Sequence, residues 1–175
     1  MNKLTDQIVH EAHRWIGVKE IGYNDGPEVA GWLARVFRKP GAPWCAAWAW
    51  CMLDDACTAL GLTNPLPPTA GVHLLIQRTK IQGAWTSEPG PGFIFAIDHG
   101  RDRNGNRIGH CGIVLDVTGD GALATIEANT NEAGSREGDC VAVKTRRLDE
   151  ITLGYLDPGR LLAGQMCSED HPENG

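Results

Sequence analysis

Cys45 stands behind Pro43 and Trp44 and opens an apolar run, Cys45-Ala46-Ala47-Trp48. A Gly109-His110 pair follows much later, and then Glu127-Ala128-Asn129. A cysteine at a helix start sits among outward-pointing amides and partial positive charge, which favours thiolate and lowers its pKa from about 8.5. The amide of such a residue can also donate to an oxyanion formed by sulfur attack on a carbonyl. Histidine, with a pKa near 6.5, is the natural base or ion-pair partner for a thiol. A carboxylate or amide on the next strand can fix the tautomer of that ring, and Glu127 and Asn129 share one strand face for the purpose. Together these are the parts of a thiol hydrolase. Taken singly, each has a plainer reading: a core cysteine, a satisfied buried histidine, a solvated glutamate.

These residues need elements to hold them. The pattern predicts a first helix N-capped by Thr5, with Leu4, Ile8, Ala12, Trp15 and Ile16 on its apolar face and Gly17 at its end. Pro27 suits the first turn of a second helix whose Val29, Trp32, Leu33, Val36 and Phe37 keep helical spacing. From about Cys45 to Leu60 the chain is apolar nearly all round, so a buried central helix is expected, stopped by Gly61. A Pro-rich turn, Asn64 to Pro68, leads to a short helix capped by Thr69. Beyond Gly92 the character changes to short runs rich in Val, Ile and Phe. Phe93–Asp98, Ile108–Val117, Ala122–Ala128, Val141–Arg147 and Ile151–Leu156 are the expected antiparallel strands. Helices first and strands second define an α+β domain over residues 1–166, with the central helix on the sheet. Residues 167–175 are expected to form a disordered tail.

Asn104-Gly105 is a type I′ turn signal. A two-residue loop there opposes positions summing to 209, so that His99 faces His110 and could tune it or touch substrate. A longer loop removes that pairing. The segment Glu20-Ile21-Gly22-Tyr23-Asn24-Asp25-Gly26 gathers oxygens and glycines, as a cleft wall or a calcium loop would. Trp44, Tyr23, Asn24 and His99 are therefore the candidate substrate contacts. No metal or cofactor is expected. Asp102 to Asn106 lacks the glycine position and terminal glutamate of an EF-hand. His110, Cys111 and Cys140 make a poor zinc set, because adjacent strand residues point to opposite faces.

With 16 basic and 22 acidic residues among 175, the chain carries a net charge of −6, which argues against life on nucleic acid or an anionic membrane. Six cysteines at positions 45, 51, 57, 111, 140 and 167 are too few and too uneven for a disulfide scaffold. The start, Met1 to Gly17, lacks the uninterrupted apolar stretch of a secretory signal, and no run is long enough to span a membrane. Synthesis in the cytoplasm without a signal peptide, as a monomer, is the expectation.

The motifs Pro43-Trp44-Cys45-Ala46-Ala47-Trp48, Gly109-His110-Cys111-Gly112-Ile113-Val114 and Thr125-Ile126-Glu127-Ala128-Asn129-Thr130 resemble those of CHAP-type cysteine peptidoglycan hydrolases, relatives of the NlpC-type and papain-like folds. Gly17 to Gly26 looks like the loop before the catalytic cysteine in phage-encoded members. The likeness runs from about Gly17 to Pro158. It implies a papain-like fold with N-terminal helices packed on a C-terminal antiparallel sheet. It also implies Cys45 as nucleophile, His110 as base, Glu127 as the orienting third residue and Asn129 as a further polar contributor. Such enzymes cleave amide bonds in the peptide part of the bacterial wall, as amidases or endopeptidases, and a phage endolysin acting on the wall after release is the usual setting. The sequence departs from the pattern at Cys111, where valine is common, and at Ala128, where glycine is common. The acidic calcium-binding run of some relatives is missing, and no wall-binding module follows, so targeting is expected from the catalytic domain itself. Three alternatives differ in setting or class: an antibacterial amidase toxin, a non-catalytic wall-binding or virion module of the same fold, and a thiol enzyme acting on cytosolic proteins.

Overall fold

A computed structural model describes residues 3–131 and 138–166 of the chain. The expected tail at 167–175, with Cys167, lies outside them. The elements run α1 (Lys3–His13), α2 (Pro27–Arg35), α3 (Cys45–Ala59), α4 (Val72–Ile81), β1 (Trp85–Thr86), β2 (Ile94–Arg101), β3 (Arg107–Val117), β4 (Ala122–Thr130), β5 (Cys140–Arg147), β6 (Gly154–Leu156) and α5 (Pro158–Met166). The class is α+β, with helices and one antiparallel sheet of order β1-β6-β2-β3-β4-β5. Strands β2 to β5 form a meander, after which the chain returns so that β6 inserts between β2 and β1. No helix among the described residues is long and apolar enough to cross a membrane.

Helix α3 is the centre of the molecule. Its apolar residues face every direction, so all sides must be covered. Helices α1, α2 and α4 and strands β3 and β4 cover them. Trp48, Ala49, Cys51, Met52 and Leu53 have no exposed surface, and each large side chain contributes about 1.5–3 kcal/mol of transfer free energy. Asp54 and Asp55 break the apolar run, and both meet Arg35 of α2, at 2.8 and 2.7 Å. Gly61, with φ +69, ends the helix as expected.

The sheet has two unlike faces. Register places Cys111, Ile113 and Ile126 toward the core shared with α3, while Phe95, Ile97, Val114, Leu123 and Tyr155 form a smaller cluster on the other side. His110 is opposite Ile97, and Glu127 is opposite Gly112, so both belong to the second face.

Several boundaries differ from expectation. Thr5 lies inside α1 (Lys3–His13), and the helix ends at His13, well short of Gly17. Phe37 is 84 % exposed with φ +58, so the apolar face of α2 stops at Val36. Thr69 accepts from the amide of Gly71 in a local turn, and Gly71 is the actual N-cap of α4. The strand expected from Ile151 begins only at Gly154, after a 3-10 turn over Leu148–Glu150. Strand β1 and helix α5 carry too short a signal to be anticipated.

Candidate active site

Cys45 is the first residue of α3 because the Pro40-to-Pro43 segment cannot continue a helix and the alanines after it can. Trp44 occupies the N-cap position, and no side chain caps the helix start. The amides of the first turn thus remain as donors, with the positive end of the helix dipole, at the point where the sulfur sits. Cys45 is 5 % exposed and opens into a cavity of about 190 Å³ walled by residues 70–74 and 107–109.

The ladder between β3 and β4 ends at the Gly112–Glu127 pair, and Asn129 then adopts φ +56. At the level of His110, β3 has therefore lost its β4 neighbour. Here Cys45 interacts with two consecutive residues, His110 and Cys111, both of which lower its pKa. The imidazole of His110 is buried and its Nε2 donates to Glu127 Oε2 at 2.8 Å. Its Nδ1 has no hydrogen bond of ordinary geometry among the described residues, which leaves that nitrogen for the thiol.

Glu127 is fully buried, and a buried carboxylate must be paired to remain charged. Arg146 of β5 supplies Nε to Oε1 at 2.8 Å and Nη2 to Oε2 at 2.7 Å, and the Thr125 hydroxyl donates to Oε1 at 2.8 Å. Gly112 makes room for it: a Cβ there would lie 2.8 Å from Glu127 Cγ, the Ile126 carbonyl oxygen and the Phe95 ring.

The electrostatics follow from this chain of contacts. Burial pushes Glu127 up, but the bonds from Arg146 and His110 overcome it and bring its pKa down to about 2. Burial works against a charged His110 ring, yet Cys45 and Glu127 together raise it to about 9. Cys45 is held well below the usual thiol range, first by the Cys111 thiol, against burial, and then by His110. Cys111 moves the opposite way, raised by the neighbouring sulfur and by burial. The directions of these shifts favour a thiolate on Cys45 beside a charged His110 ring, with Glu127 bonded to that ring.

The structure thus brings Cys45, His110 and Glu127 near one another. Glu127, and not Asn129, takes the ring nitrogen; Asn129 is buried beside the bulge two residues on. The four candidate substrate contacts do not line the Cys45 cavity. Trp44 is fully buried, stacked on Trp32 at 5.4 Å and donating to Glu20 at 3.1 Å, so it anchors the loop and leaves no face for a ligand. Asn24 is buried with φ +48, and its backbone carbonyl accepts from Gly41, tying its loop to the segment before Cys45. Tyr23 is exposed. His99 is exposed and is not opposite His110, because the loop spans 102–106 and a register shift lies between Asp98 and Arg101. Arg146, Thr125 and Cys111 are the site residues that sequence reasoning passed over. Among the described residues no cluster of three His, Cys, Asp or Glu side chains suits a metal ion. Compared with protein-family models, curated proteins and solved structures, the chain matches none.

Proposed function

We propose that this protein is a cysteine hydrolase of papain-like arrangement that cuts an amide bond in the peptide of bacterial peptidoglycan, as a phage endolysin does. The observation that carries the reading is the 2.8 Å bond from His110 Nε2 to Glu127, with the other edge of the ring left to Cys45. A core histidine needs no carboxylate held by an arginine on one side and a thiol on the other. The motif resemblance around Cys45, His110 and Glu127 supplies the substrate class.

In the reaction the Cys45 thiolate attacks the amide carbonyl, and the oxyanion accepts hydrogen bonds from first-turn amides of α3. His110 gives its proton to the leaving amine. Water, deprotonated by the same ring, then opens the thioester and restores the thiol. Glu127 stabilises the imidazolium at each stage without taking its proton.

The experiment is digestion of purified peptidoglycan followed by mass spectrometry of the released fragments. New amino and carboxyl termini at one peptide bond, or separation of glycan from stem peptide, are expected with wild type and absent with Cys45→Ala. Equal release by both proteins would remove the assignment.

A further inference from the structure

Two hollows meet beside the nucleophile. The Cys45 cavity includes His73, Leu74 and Arg107 in its wall, and the same three residues line a larger hollow of about 700 Å³ along α4 with Gln77, Lys80 and Ile81. Among the described residues no Asp or Glu lines either hollow. In a chain of net charge −6 this leaves a stretch of surface carrying Arg107, which shares the Cys45 cavity, and Lys80, which lines only the larger hollow. Both side chains are exposed, Arg107 about half so at 51 %.

Arg107 is also fixed in place. Asp98 accepts from its Nη2 at 2.9 Å and lies 3.5 Å from His73 Nε2, behind the groove. His73 Nε2 donates to the Ile108 carbonyl at 3.3 Å. A guanidinium has five donors, so the bond to Asp98 orients Arg107 and leaves N–H groups for a ligand. Lys80 stands 6.0 Å over the Trp85 ring, farther along the same groove.

We infer that this groove is a carboxylate-binding subsite, in which Arg107 and Lys80 select an acidic peptide whose free carboxylate lies next to the amide being cut. The inference rests on the proposed wall-peptide reading and narrows it to stems with unamidated carboxylates. Arg107 and Cys45 share the wall of one small cavity, so a carboxylate held there is about one residue from the scissile carbonyl. Lys80 would meet a second carboxylate on a longer stem.

Two measurements test it. The first compares peptidoglycan carrying free stem carboxylates with the same material after carbodiimide amidation. Wild type should show a KM about tenfold lower on the free acid, and Arg107→Gln should erase that difference with little change in kcat. Arg107→Lys should restore part of it. The second needs no wall hydrolysis: alkylation of Cys45 by iodoacetate against iodoacetamide, followed by mass spectrometry of its peptide. The anion-to-neutral rate ratio should fall several-fold in Arg107→Gln and further with Lys80→Met. An unchanged ratio in both variants overturns the subsite. A falling ratio without any digestion of wall would keep the anion groove and remove the wall assignment instead.

Discussion

Arg146 grips Glu127 with two parallel hydrogen bonds, Nε to Oε1 at 2.8 Å and Nη2 to Oε2 at 2.7 Å, while His110 holds the same carboxylate from the other side. Glu127 is therefore charged because of Arg146, and His110 is oriented because Glu127 is charged. Replacing Arg146 by methionine leaves a buried carboxylate with one cationic partner instead of two. The expected cost is about 3 kcal/mol in denaturant unfolding, the usual loss when a buried pair is broken from one side. Hydrolysis should drop by at least tenfold. Arg146→Lys should recover stability better than activity, since an ammonium cannot reproduce the planar double bond.

The raised His110 and depressed Glu127 give pH limbs of definite sign. His110 rises from 6.5 to about 9, so its share of stability is complete below about 6.5 and lost as pH climbs through 9. Activity should fall over the same alkaline limb, because a neutral ring cannot protonate the leaving amine. Glu127 falls from 4.5 to about 2, so its share is complete above about 4.5 and lost as pH drops toward 2. An imidazole NMR titration in Cys45→Ala checks the coupling. Without the sulfur, the His110 midpoint should move down toward the ordinary value.

The Cys111 thiol lowers the Cys45 pKa, and its own pKa is raised by the neighbouring sulfur. Cys111→Val fits a fully buried strand position and should leave the fold intact, but it withdraws a donor from the thiolate. The Cys45 pKa should then rise, shifting the acid limb of iodoacetamide alkylation to higher pH. Cys111→Ser retains a donor and should leave that limb near its wild-type place. Coincident curves for all three proteins would show that the second thiol only fills space.

What the sequence discloses here is uneven for physical reasons. Cys45 and His110 stand out by local signals, a helix start after Pro43 and a Gly-flanked strand, whereas the residues alone leave Glu127 and Asn129 open and only the motif resemblance chooses Glu127. Arg146 is not legible, since an arginine on an alternating strand looks like a solvated residue. Its contact with Glu127 depends on the β4–β5 register, which sets Leu123 opposite Arg146 and requires the long side chain to reach along the sheet. The His99 pairing fails for a related cause. Asp102 Oδ1 accepts from the amides of both Asn104 and Asn106, building a wider turn than Asn104-Gly105 alone suggests. Trp44 misleads because an aromatic next to a candidate nucleophile invites a substrate role, whereas the aromatic stack with Trp32 is invisible without tertiary structure.

Gly112 offers the sharpest test of how closely the site is packed. It lies opposite Glu127 on β3, and a methyl group there would stand 2.8 Å from the Glu127 side chain, the Ile126 carbonyl and the Phe95 ring at once. Two of those three neighbours are a backbone oxygen and an aromatic ring inside the sheet, so the strain is relieved most easily by pushing Glu127 aside. Gly112→Ala should cost about 1–3 kcal/mol, as overpacking does, yet leave a folded protein. Its larger effect should fall on catalysis: a displaced Glu127 no longer holds the imidazolium. The His110 titration should then move below its wild-type midpoint while Cys45 alkylation slows at neutral pH. Phe95→Leu on the same background relieves only the ring contact and should return stability without returning the titration. Recovery of both would assign the defect to the ring instead of the carboxylate.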